Sequence, residues 1–158
     1  MLLNFSDNTP FATGVAVYQY VPMPGGDDTL RILIQVAVED DLREAVLDTG
    51  GQYFFCTQEL AKQIAADPKE KLGNKEINLG GILVKGSLCR LDIILMSDEG
   101  GRSLRFQVTA FLPDEDQNFP EHFLPYSFLG LHACMERVRF AVDPSYHEER
   151  FYFGECSG

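Results

Sequence analysis

The stretch Leu47-Asp48-Thr49-Gly50-Gly51 constrains this chain more than any other. The apolar run Ala45-Val46-Leu47 leads into it, and Tyr53-Phe54-Phe55 leads out. Two such runs separated by Asp, Thr and Gly predict a strand, a tight turn and a second strand. The Asp48 carboxylate then stands at the tip of the turn, where it can do acid–base chemistry if a second group opposes it. The sequence holds a single Asp-Thr-Gly triplet. Asp and Gly are also ordinary turn formers, so the triplet by itself allows a purely structural reading.

A chain of 158 residues is one domain by length. It is long enough to bury a core without staples. A hydrophobic fraction of 45% with twelve Phe fits a globular protein rather than a disordered one. The formal net charge of −11 repels phosphate backbones and argues against a nucleic-acid partner. Residues Met1 to Asn8 lack the basic segment and apolar centre of a signal peptide. No apolar run approaches membrane-spanning length, so the expectation is a cytoplasmic chain without a membrane partner. Cys56, Cys89, Cys134 and Cys156 are scattered and form no CxxC pair, which predicts reduced, buried thiols. His122, His132 and His147 share no metal-site spacing. The acidic runs Glu39-Asp40-Asp41 and Asp114-Glu115-Asp116 lack the spaced, Gly-turned pattern of a calcium loop and read as solvated polar turns. No metal and no cofactor is expected.

The remaining pattern is mostly β. Val15 to Tyr20, Leu30 to Val38, Arg43 to Leu47 and Gln52 to Cys56 read as strands. Thr57 is a helix N-cap, followed by apolar Leu60, Ala61, Ile64 and Ala65 and stopped before Pro68. Lys69 to Lys75 reads as a charged loop around Gly73. Glu76 to Leu79 and Ile82 to Val84 flank Gly80-Gly81, a hairpin signal because primed turns need positive φ. Leu88 to Met96 and Leu104 to Leu112 are further strands, and Pro113 to Asn118 is an acidic loop. Tyr126 to Gly130 is a short apolar run, with a brief helix predicted over Leu131 to Glu136. A last hairpin joins Arg137–Val142 to Arg150–Phe153 around Asp143-Pro144.

The order of these elements resembles the retropepsin-like aspartic proteases, the single-domain family that includes the retroviral proteases. Glu44 to Gly50 resembles the active-site motif, with a strand and a helix beyond it. Gly80-Gly81 lies where the family has its flap hairpin, and Phe128-Leu129-Gly130 matches its late apolar-apolar-Gly element. The residue after the triplet is usually Ala in the family, and here it is Gly51. The resemblance implies an all-β, closed-barrel-like acid protease fold with one lobe per chain and one or two short helices. It covers about residues 30–153, so residues 1–29 are expected to be an N-terminal extension and 30–158 the protease domain.

The chemistry of that family needs two carboxylates sharing one proton, one acting on a water and the other polarising the scissile carbonyl. One motif per chain means that Asp48 must meet its symmetry mate in a homodimer. By resemblance, Thr49 would hydrogen-bond across the two-fold, and Gly50 would supply an N–H to the carboxylate. Leu79, Gly80, Gly81 and Ile82 would form a flap over an extended peptide, with Gly51, Phe128, Leu129 and Gly130 supporting the site. The function implied is an aspartic endopeptidase acting on a peptide or protein. The alternatives are a non-catalytic dimerisation or peptide-binding module on the same fold, and a β-rich domain whose triplet is only a turn.

Overall fold

The structure is a computed structural model that describes residues 3–22, 30–67, 70–79, 81–98, 100–116, 126–145 and 148–156. It is a sheet-rich single lobe. The strands are β1 (Gly14–Val17), β2 (Gln19–Pro22), β3 (Leu30–Val38), β4 (Asp41–Gln52), β5 (Phe54–Phe55), β6 (Lys71–Leu79), β7 (Ile82–Leu95), β8 (Leu104–Pro113), β9 (Ser127–His132), β10 (Val138–Asp143) and β11 (Arg150–Glu155). One α-helix, α1 (Gln58–Ala66), and a 3₁₀ turn (Met135–Arg137) complete the described residues.

Large apolar and β-branched residues build β3, and Ile34, Val36 and Val38 turn inward while Gln35 faces solvent. That is the alternation a half-covered strand requires. Val38 pairs with Asp41, leaving Glu39 and Asp40 as a two-residue turn with φ of 54° and 68°. Positive φ at both positions is the primed geometry that matches strand twist. The turn predicted at these acidic residues is therefore present.

β3 pairs with both β4 and β7, and this double pairing closes a ring β3-β4-β9-β5-β8-β7 back onto β3. The expected barrel-like architecture is thus formed, with β2 and β6 as flanking strands. Ile34, Val36, Ala45, Phe54, Ile93, Val108 and Leu129 belong to the main buried cluster. α1 adds Leu60, Ala61 and Ile64 to it, while Ala65 is exposed. Thr57 caps the helix as predicted, its Oγ1 accepting from the Leu60 N–H at 3.2 Å. The Thr57 N–H in turn donates to buried Ser127 Oγ at 3.3 Å and ties the helix start to β9.

Four local expectations are corrected. Val15 to Tyr20 is not one strand: β1 joins β11 in a three-stranded sheet and β2 joins β3 in the large one. Tyr18 at the break is wholly buried, with its hydroxyl 3.1 Å from that of Tyr20. Lys71 to Lys75, read as part of the charged loop Lys69 to Lys75, is the start of strand β6, because pairing with β7 overrides its polar composition. Gly73, at φ 120°, absorbs a bulge there. Helix was expected from Leu131, yet Leu131 and His132 extend β9, and Ala133 at φ 57° leads to the 3₁₀ turn instead. Finally, Cys56, Cys89 and Cys134 are buried as expected, whereas Cys156 is exposed.

Burial pushes the Cys134 thiol up to about 12 from 9.0. It also pushes Cys56 well above its ordinary range, with neighbouring Cys89 and Cys134 adding to the effect. Above pH 9 or so the unfolded chain sheds these protons while the folded chain keeps them. The stability these thiols contribute is therefore complete below about pH 9 and is lost as pH rises toward about 12. Each contributes a slope of up to about 1.4 kcal/mol per pH unit in that window. Urea denaturation at a series of alkaline pH values should show a falling midpoint. A midpoint that stays flat across this window would show that the thiols are not shielded.

Candidate active site

The local sequence places Asp48 less simply than a turn would. β4 runs without interruption from Asp41 to Gln52, so the Asp-Thr-Gly triplet lies inside a strand. Its partner is β9, parallel to it, with Asp48 opposite Gly130 and Gln52 opposite His132. Four steps along β4 thus match two along β9, and the surplus bulges outward at Thr49, Gly50 and Gly51. The chain reverses at Tyr53, which has φ 63°, not at the triplet. β5 then returns antiparallel along β9, with Phe54 opposite Leu129.

The Tyr53 peptide is pinned from both sides. Its N–H donates to the His132 carbonyl at 2.8 Å, and its carbonyl accepts from the Gly130 N–H at 2.9 Å. These bonds hold an uncommon backbone conformation for a bulky residue. Gly130 is required by proximity: a Cβ there would lie 2.6 Å from the Gln52 carbonyl carbon and from the Tyr53 carbonyl oxygen. Gly51 sits equally close to the acid, since a Cβ there would lie 2.9 Å from Asp48 Oδ2. The Gly50 N–H donates to Asp48 Oδ1 at 3.3 Å. Asp48 is half-buried, and Thr49 and Gly50 are exposed.

A cleft of about 590 Å³ opens over this bulge. One wall is Asp48, Gly50, Gly51 and Gln52 with Phe55, Phe128 and Gly130, and the other is the Lys75–Leu79 arm of β6. Beneath it lies a second apolar cluster of Tyr53, Phe55, Val84, Phe111 and Ala133, against which Ile77, Leu79, Leu88 and Phe128 pack. Phe55 stacks on Phe111 at 5.0 Å and meets Phe128 edge-on at 6.3 Å. The arrangement is a groove with an apolar floor, one carboxylate on the bulge and a β-hairpin arm opposite.

The sequence-predicted site residues divide accordingly. Asp48, Gly50, Gly51, Phe128, Gly130 and Leu79 converge on the cleft. Leu129 is wholly buried in the main core, Thr49 stands on the exposed outside of the bulge, and Gly81 and Ile82 lie at the hairpin end beyond the lining. Gly80 lies outside the described residues. Gln52, Phe55, Lys75, Glu76, Ile77 and Asn78 line the cleft without having been singled out. The alternation of Ile77 and Leu79 in the Glu76–Leu79 run was the signal for that arm, while Lys-Leu-Gly-Asn-Lys concealed its start.

A separate cleft of about 380 Å³ involves Arg90, Asp92, Arg105 and Gln107 on the outward face of β7 and β8. There Arg90 meets Glu70 at 3.3 Å and Gln107 at 3.2 Å, exposed contacts that solvent screens. Among the described residues no cluster of His, Cys, Asp and Glu could hold a metal ion, and no helix is long and apolar enough to cross a membrane.

No protein-family model and no curated protein sequence matches the chain. Among solved structures it is similar to a retropepsin-like aspartic protease from Rickettsia conorii, at 14% identity over 92% of this chain and 95% of that one, with a TM-score of 0.48.

The packing around the bulge gives a sharp contrast between two glycines. Gly130→Ala drives a methyl into backbone and should cost about 1–3 kcal/mol or more in urea unfolding. Gly50→Ala meets only Asp48 Oδ1, at an ordinary 3.6 Å, and should stay within about 0.5 kcal/mol of the parent. Equal stability of the two variants would show that β9 does not support the bulge as described.

Proposed function

We propose that this chain is one half of an aspartic endopeptidase of retropepsin type. The observation that carries the reading is the half-buried Asp48, presented on a bulge at one wall of an apolar-floored cleft with a β-hairpin arm opposite. Such a groove suits a peptide bound as an extended strand, with its side chains alternating between floor and opening.

Among the described residues that line the cleft the one other acid is Glu76, on the hairpin arm, and that carboxylate pairs with Lys85 at 3.9 Å. The second reacting carboxylate must therefore come from Asp48 of another copy, related by a two-fold. Two carboxylates brought to about 3 Å cannot both ionise, so the pair shares a proton. The ionised member takes a proton from water as that water attacks the scissile carbonyl carbon. The protonated member donates to the carbonyl oxygen. Collapse of the tetrahedral intermediate then breaks the C–N bond as the amine is protonated. The Gly50 N–H steadies the carboxylate, Thr49 bonds to its counterpart across the two-fold, and the β6–β7 hairpin excludes water from the bound peptide.

Asp48→Ala should lower cleavage of a denatured protein by at least about a hundredfold, the scale of one lost acid–base group. Activity should peak in the acidic to neutral range, where the pair holds one proton. Undiminished cleavage by Asp48→Ala protein overturns the proposal. Peptide binding that survives this substitution without any cleavage points to the non-catalytic module.

Self-association supplies a separate check. At net charge −11 each copy repels the other at neutral pH, and protonation of carboxylates toward pH 4.6 relieves this. Sedimentation should show tighter dimers near pH 5 than at pH 8. The opposite order would place the dimer contact on attractive rather than repelling charges.

A further inference from the structure

The hairpin arm over the cleft carries a cation whose placement follows from strand geometry. Successive residues of a strand face opposite ways. Ile77 and Leu79 of β6 pack against the apolar cluster under the cleft, so Lys75, two residues before Ile77, shares their face. Glu76 and Asn78 alternate with these residues and also border the cleft, and Glu76 meets Lys85 across the strand pair. The register is regular over this stretch, since the bulge of β6 lies before Asn74.

Opposite Lys75 in the pairing stands Gly86. Gly86 lies so close to β8 that a Cβ would come within 2.3 Å of the Leu112 carbonyl oxygen. Gly86 thus presents no side chain of its own opposite the lysine, and the Phe111 ring lies 2.7 Å from where its Cβ would be. Lys75 is exposed, and it is the one cation among the described residues that line the cleft with Asp48. It also borders a smaller cleft of about 370 Å³, whose lining includes the carboxylates of Glu76 and Asp114. A chain with 24 acids and 13 Lys and Arg thus presents an ammonium group on the binding side of its hairpin.

We infer that Lys75 is a specificity-determining residue that selects an acidic side chain, Asp or Glu, in the peptide bound along this cleft. The inference rests on the reading of the cleft as a peptide site. The surrounding apolar face of Ile77 and Leu79 lowers the local polarity and strengthens the pairing relative to open solvent. Because Lys is a compact point charge on a flexible stem, the preference is for charge rather than for bidentate carboxylate geometry.

The test separates this inference from the protease reading. Blocked decapeptides with Glu, Gln or Lys scanned through each position are offered in two assays: cleavage by the parent protein and binding to Asp48→Asn protein. At one position Glu should be preferred over Gln by about threefold, and over Lys by about tenfold. The preference should shrink in about 1 M salt. Lys75→Glu should reverse it, Lys75→Met should abolish it, and Asp114→Asn should enlarge it, with circular dichroism confirming that each variant folds. Binding that shows this pattern without cleavage sustains the role of Lys75 and overturns the protease reading. Cleavage without a charge preference, or with one unmoved by Lys75→Glu, overturns the role of Lys75 and leaves the protease reading intact. Absence of both binding and cleavage overturns both.

Discussion

Strand β9 is the constraint on which the site depends. It lies between β4, which runs parallel to it, and β5, which runs antiparallel. The chain between those two strands must therefore pass over the end of β9, and the mismatch between Asp48–Gln52 and Gly130–His132 forces the excess backbone outward. Asp48 is presented by this frustration of register. Two hydrogen bonds from Tyr53 to β9 fix the far end of the loop. The price is an uncommon φ at Tyr53, sustained because its ring packs into the cluster below and against His132 at 5.7 Å.

Much of this was legible in the residues, and what was not has a physical reason. Alternation and turn chemistry located β3, the Glu39-Asp40 turn and the capped helix, because each depends on neighbours in sequence. The Asp48 and Phe128–Gly130 segments were both visible as short apolar runs ending in small residues. What their sequences do not contain is the pairing between them, which spans some eighty residues and alone decides that the triplet is a bulge. The first part of β6, Lys71 to Lys75, was hidden for the same reason. Lys-Leu-Gly-Asn-Lys has poor strand composition, and only its long partner β7 makes it a strand.

The N-terminal residues contribute to both sheets. β1 is sealed on both edges: β11 pairs with one, and Ser97 and Asp98 satisfy the other, with Val15 N–H donating to Ser97 Oγ and Val17 N–H to Asp98 Oδ2. Asp98 N–H also donates to the Val15 carbonyl at 2.7 Å. Gly14 lies against the Phe153 ring so tightly that no Cβ would fit. The strands near the two ends of the described chain thus pair with each other inside one copy.

That closure bears on how a second copy would approach. With β1 and β11 already satisfied, exchange of these strands between copies would first have to break the contacts with Ser97, Asp98 and Phe153. A two-fold through Asp48, as proposed, would draw on the surface already open beside it: exposed Thr49 and Gly50 on the bulge, and Leu131, 38% exposed next to Gly130. These groups offer little apolar area, whereas a stable pair buries roughly 800 Å² per partner. A peptide lying across both clefts would add its own buried surface to that contact. Substrate and dimer would then stabilise each other through linkage, and assembly of the reactive pair would be coupled to the presence of something to cut.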